Sequence, residues 1–174
     1  MKNQIFFALL SAICFSCTAV KFEEPQPVNS QSLEEFPEEM RGIFVSSEQD
    51  TLQIEAQAFR YSSGKDVSVS TTLSASEAVL RKMDKKYVLS LKEEDGWDVF
   101  PLKISRNRLV AQYVQLTPAT EKLILNMKST SAVKTIKTED GKFDHYLVAP
   151  SEKDFQKLVR KRLFSNKMVF KRLK

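Results

Sequence analysis

The chain has 174 residues, with 27 Lys and Arg against 22 Asp and Glu, one His, two Cys and a net charge of +5. That length suits one domain with a substantial core, and so few His and Cys exclude a structural zinc site or a disulfide framework. The charge is unevenly spread: residues 18–41 hold Lys21 and Arg41 against six glutamates, while residues 151–174 hold nine Lys and Arg against Glu152 and Asp154.

Met1-Lys2-Asn3-Gln4 carries one positive charge, and Ile5 to Ile13 reads I-F-F-A-L-L-S-A-I. A spanning helix needs about 20 apolar residues, so this shorter run reads as an export signal over residues 1–16. Cys14 and Cys17 follow it as C-F-S-C. A redox pair of that spacing belongs at a strand-to-helix turn of a folded domain, which this position is not. Ser16 before Cys17 suits processing to an acylated cysteine, which would become the first residue of the mature chain. Simple cleavage after Ala19 is the competing reading. Two or more acyl chains hold a protein firmly, since each buried methylene contributes about 0.8 kcal/mol. Thr18 stands where an aspartate would favour retention in the inner membrane, so the expected address is the outer membrane of the cell envelope.

Residues 17–39 hold Pro25, Pro27 and Pro37 among glutamates without a sustained apolar period. They are expected to be an acidic tether, with a single β-rich domain over 40–174. From Gly42 onward, short stretches alternate apolar and polar residues: "GIFVSSE", "TLQIEAQAFRY" and "DVSVSTTL", then "AVLRKM", "KYVLSLK", "WDVFPLKI" and "RLVAQYVQL". They recur about every ten residues with turn chemistry between them. Pro101 within "WDVFPLKI" predicts an edge strand or a bulge.

Two helices interrupt the strands. "TPATEKLILNMK" opens with Thr117 as N-cap and Pro118 in the first turn, and predicts a buried face of Ala119, Leu123 and Met127, with Ile124 beside them. "AVKTIK" and "KFDHYLV" then form a hairpin across Thr138 to Gly141. The second helix opens at Ser151, with Asp154 spaced as its capping partner and Phe155, Leu158, Val159 and Leu163 as its apolar stripe. "KMVFKRL" is a last strand. The predicted fold is mainly β with two short helices: an antiparallel meander, barrel or sandwich, with a C-terminal helix followed by a last strand. A barrel is preferred because closure removes exposed edges.

The stretches "RGIFVSSEQDTLQI", "YVLSLKEEDGW", "TEDGKFDHYLVAPSEKDFQKL" and "LFSNKMVFKRL" resemble small uncharacterised Bacteroidetes-type lipoproteins, in which a tether leads to a β-rich domain with a late amphipathic helix. The resemblance implies no activity and no functional residues. The order of strands and helix is also similar to lipocalin-like barrels, although Gly42-Ile43-Phe44 lacks the tryptophan of their first strand and Trp97 sits mid-chain.

Chemistry-bearing residues are sparse. His145 is the one side chain whose ordinary pKa lies near neutrality. It alternates with Phe143 and Leu147, which predicts a structural position facing inward or at the sheet's edge, and Asp144 beside it should point to the opposite face of a strand. The carboxylate pairs Glu34-Glu35, Glu38-Glu39 and Glu93-Glu94 fall in the tether or a turn, where water defeats the pKa tuning that glycoside hydrolysis requires. Asp140-Gly141 lacks the alternating oxygen ligands of a calcium loop. Catalysis, a cofactor, a metal and nucleic acid are therefore not expected.

Lys157, Arg160, Lys161, Arg162, Lys171 and Arg172 form a basic C-terminal cluster that would suit an anionic surface. Two readings remain: a lipid-anchored binding module holding a small apolar ligand inside the barrel, with Ala56, Ala58 and Ala111 leaving the space, or a solid envelope component that binds another envelope protein.

Overall fold

The computed structural model describes residues 19–64, 67–129 and 132–173; the segment 1–16 read as an export signal, and Cys17, lie outside them. The strands are β1 (Val20–Phe22), β2 (Ser32–Leu33), β3 (Gly42–Ser46), β4 (Thr51–Ile54), β5 (Ala58–Ser63), β6 (Val67–Thr72), β7 (Ala78–Met83), β8 (Lys86–Glu93), β9 (Gly96–Ser105), β10 (Arg108–Tyr113), β11 (Ala132–Lys137), β12 (Phe143–Ala149) and β13 (Asn166–Arg172). Helices α1 (Pro118–Leu125) and α2 (Glu152–Arg160) precede β11 and β13. The chain is mainly β, with a helix ahead of the last strand, as its patterning predicts. Its strands form one largely antiparallel sheet that curls into a half-barrel and stops at β6, short of closure.

The spine of this sheet is β9. One edge pairs with β8 from Gly96 to Leu102, and the other with β1 at Trp97 and with β10 from Leu102 onward. Gly96 to Leu102 are all buried, because this half of the strand is covered on both faces. Phe100 and Leu102 face the interior of the half-barrel, with Leu80, Leu89, Leu109 and Phe170. Trp97 and Val99 face a second core on the other side, with Val79, Val88, Phe22 and Phe155. A strand covered twice needs a continuous apolar run, and one covered once shows alternation.

Pro101 lies in this central strand, opposite Val88, and not at an edge. On the other side the registered partners of β9 end at Trp97 and resume at Leu102. Pro101 falls in the seam between β1 and β10, where a residue without an amide donor is tolerated.

From residue 19 onward the expected tether is part of the fold. β1 is buried at all three positions and runs parallel to β12, with Val20 opposite Tyr146 and Phe22 opposite Val148. Further along, Phe36 and Met40 are 1% and 0% exposed and enter the half-barrel core. The Phe36 amide donates to the Ala56 carbonyl at 2.7 Å, and its ring meets Phe59 edge-on at 6.2 Å. The glutamates are exposed or half-buried, but Pro27 is buried, and Val20, Phe22, Phe36 and Met40 carry enough apolar surface to fold the segment down.

Thr117 caps α1 through a reciprocal arrangement with Thr120. The hydroxyl of Thr120 also donates to the Gln115 carbonyl at 2.8 Å, which draws this residue inward. The buried face is therefore Thr120, Ile124 and Met127, with Ala119 exposed, one position round from the predicted stripe. Ser151 caps α2, accepting from the Asp154 amide at 3.2 Å. Phe155 and Leu158 are buried, and the Phe155 ring packs edge-on with Phe22 and with Phe164.

Candidate functional site

The polar cluster with the most chemical potential lies where β1, β12 and the β8–β9 turn meet. The register between β11 and β12 pairs Ile136 with His145 and then Lys137 with Phe143, so Asp144 is an extra, bulged residue. A bulge redirects a side chain that strict alternation would send to the other face. Asp144 Oδ2 accordingly lies 2.6 Å from His145 Nδ1, although the two are neighbours in one strand. Asp95, in the turn before β9, joins them: one donor atom from each of Asp95, Asp144 and His145 lies within 4.8 Å of the others. Lys21 of β1 is 7% exposed, with its Nζ 3.7 Å from Asp95 Oδ2.

As an acid–base dyad the arrangement is incomplete, because His145 Nε2 is buried and makes no hydrogen bond among the described residues. Among the described residues no hydroxyl or thiol is hydrogen-bonded to it, as an activated nucleophile would be. As a metal site it offers three donors of suitable type, but Asp144 is engaged by the imidazole and Asp95 faces the Lys21 ammonium. An entering cation would have to displace both contacts. The geometry suits a structural tie between β1, β12 and the turn: a buried cation with a carboxylate partner and a buried imidazole with one nitrogen satisfied. Spacing along the chain gives no sign of Asp95, which arrives from 49 residues upstream of Asp144.

The interior of the half-barrel holds an apolar void of about 60 Å³ lined by Phe36, Ile54, Phe59, Leu89, Phe100 and Ala111 among others. Engineered apolar cavities that take benzene measure about 150 Å³. Of the three alanines expected to leave space, Ala111 lines this void. Ala56 and Ala58 do not; Ala56 stands at the β4–β5 turn, where its carbonyl accepts from Phe36.

The predicted basic cluster divides in two. Lys157, Arg160, Lys161 and Arg162 are exposed along and just after α2, and Lys171 is exposed on the outward face of β13. Arg172 turns the other way and is occupied. Its guanidinium donates to the carbonyls of Glu39 and Arg41 and lies 4.5 Å over the Phe44 ring, strapping the 34–41 segment to the sheet.

Among the described residues β6 pairs only with β5. Its other edge is open over six residues, V-S-V-S-T-T, with no charge and no proline. Val69 is 40% exposed. The outer edge of β11 carries Lys134 and Lys137, and β2 is two residues long. Sheet edges are ordinarily blunted by such charges or such brevity. At the C-terminal end of β6, a groove of about 530 Å³ is lined by Leu33, Gln57, Leu73, Ala78 and Arg81 among others. Arg81 is tied down there, donating to the carbonyls of Pro25 and Pro27 at 2.6 and 2.8 Å.

The chain matches no family model, no curated protein and no solved structure.

Proposed function

We propose that this protein is an exported, lipid-anchored binding module of the cell envelope that takes an extended segment of another polypeptide at the open edge of β6. The observation that carries the reading is that edge: six residues without charge or proline, running into a groove with Leu33 and Leu73 at its side. In strand addition, main-chain hydrogen bonds supply affinity and side-chain pockets supply selectivity. Both parts are present in one place. Anchoring through Cys17 rests on the apolar run and on Ser16 before the cysteine.

Carriage of a small apolar ligand inside the barrel has less support, because a void of about 60 Å³ is well below the size that takes benzene. A catalytic role has less still, since the remaining imidazole nitrogen of His145 is buried without a hydrogen-bond partner among the described residues.

Native mass spectrometry of the mature chain, released gently from membranes, tests this reading. The expected spectrum shows the chain acylated at Cys17, alone or with a second polypeptide. A small mass that leaves on denaturation would favour the carrier reading. A chain that begins at Val20 without acyl groups would remove the anchor.

A further inference from the structure

We propose that the outward face of β9, β10, β13 and β3 is a docking surface for the anionic phosphate headgroups of the leaflet that holds the anchor. This rests on the anchored reading above and adds the orientation of the domain on the membrane. The outward positions are fixed by alternation against Leu102, Leu109, Phe170 and Phe44, which point into the half-barrel. Lys103, Arg108, Lys167 and Lys171 occupy them and are all exposed. No Asp or Glu occurs in β3, β10 or β13, nor in β9 from Pro101 to Ser105. Among the described residues none of these four cations has a carboxylate partner.

The register sharpens the point. Arg108 stands directly opposite Lys171, and Lys103 opposite Val110, which is itself opposite Val169. Like charges directly opposite on neighbouring strands destabilise a sheet, and an anionic surface against them reverses the sign of that contribution. The same face carries Ile43 and Leu173, 43% and 55% exposed, joined by a hydrogen bond from the Leu173 amide to the Ile43 carbonyl at 2.8 Å. Cations around exposed aliphatic side chains make a surface suited to a headgroup layer. The loop after α2, which carries Arg162, meets this face where Gln112 Nε2 donates to the Phe164 carbonyl at 3.2 Å.

The position of the anchor agrees. The Ala19 carbonyl accepts from the Tyr146 amide at 2.9 Å, so the folded body begins there. Cys17 is two residues upstream and its Cα can be no more than about 7 Å from that of Ala19. Since Phe22 faces Trp97 and Ala111 faces Leu102 on one edge of β9, the start of β1 abuts the end of β10. The acyl chains would therefore enter the leaflet at the Lys167 end of the basic face, since Lys167 stands opposite Gln112 near the end of β10.

Lysine acetylation footprinting of the intact acylated chain on vesicles tests the proposal. On vesicles of neutral and anionic phospholipid, Lys103, Lys167 and Lys171 are expected to react at least about fivefold more slowly than on neutral vesicles, the gain that one cation makes near an anionic leaflet. Lys92, at the far end of the β8–β9 ladder, should be unchanged, and high salt should abolish the protection. Equal reactivity on both vesicles, with Cys17 shown by mass to be acylated, would overturn the docking surface and leave the anchor standing. Protection without acylation would keep the surface and remove the anchor.

Discussion

Asp144 and His145 are consecutive residues of one strand, yet Asp144 Oδ2 lies 2.6 Å from His145 Nδ1 because the β11–β12 register skips Asp144. The imidazole is 2% exposed, so this contact satisfies a nitrogen that water cannot reach. Asp144→Ala should cost about 1–3 kcal/mol, the cost of leaving a buried polar group unpaired. Asp144→Asn, which keeps an acceptor in place, should cost less than half of that. Urea unfolding at constant m-value measures both.

Phe36 is expected to be a principal stabilising residue, despite its acidic, proline-containing surroundings. Phe36→Ala removes a ring that is 1% exposed and packed on Phe59, and should cost about 3–5 kcal/mol by the usual range for such truncations. A loss under about 1 kcal/mol would mean that the segment acts as a tether after all.

Gly96 has φ +149, and a Cβ there would sit 2.9 Å from the Phe22 carbonyl oxygen and 3.1 Å from Leu147 Cδ1. Gly96→Ala combines an unfavourable backbone conformation with a clash against β1. A loss of at least about 1–3 kcal/mol is expected. Because Gly64 and Gly141 meet nothing within 4 Å, Ala at either should carry only the strain of its positive φ and cost less. Thermal denaturation of the three variants ranks them.

Alkaline pH should weaken the fold through its tyrosines. Burial pushes Tyr61 and Tyr87 up from the ordinary tyrosine value, and the hydrogen bond donated to Glu121 does the same for Tyr146. For a group whose folded pKa is raised, the associated stability is present in full below the unfolded pKa, about 10 for tyrosine, and is lost as pH rises through the folded value. The unfolding free energy should thus be insensitive to these groups at neutral pH and decline above about pH 10. Phenolate absorbance should show the three titrating late; their titration at the ordinary value would contradict these packing assignments.

Much of the fold can be read from the chain because its signals are local. Turn residues mark the hairpins, Ser151 and Thr117 mark helix starts, and alternation marks the strands covered on one face. What cannot be read depends on partners distant in sequence. β1 is three residues long and gains its place only by lying between β12 and β9. The inward turn of Phe36 depends on the mouth of the half-barrel. Pro101 is tolerated in a central strand because two neighbours happen to part beside it. The polar cluster follows the same division: His145 is buried, but not through alternation with Phe143, which is 43% exposed; the bulge at Asp144 breaks that pattern, Tyr146 and Val148 face the core, and a separate turn supplies Asp95.

The central claim, that the β6 edge receives an extended polypeptide segment, is tested most directly by photo-crosslinking in the intact envelope. A benzophenone side chain would replace Ser70 on β6 and, as the comparison, Glu139 in the distant hairpin. The Leu73 amide bonds back to Gln57 on the β5 side, so by alternation the amides of Ser68, Ser70 and Thr72 face the open edge. The account predicts one defined polypeptide adduct at position 70, absent at position 139 and lost when Ser68→Pro removes an amide from that edge. Equal labelling at both positions, or a position-70 adduct that survives Ser68→Pro, would contradict it.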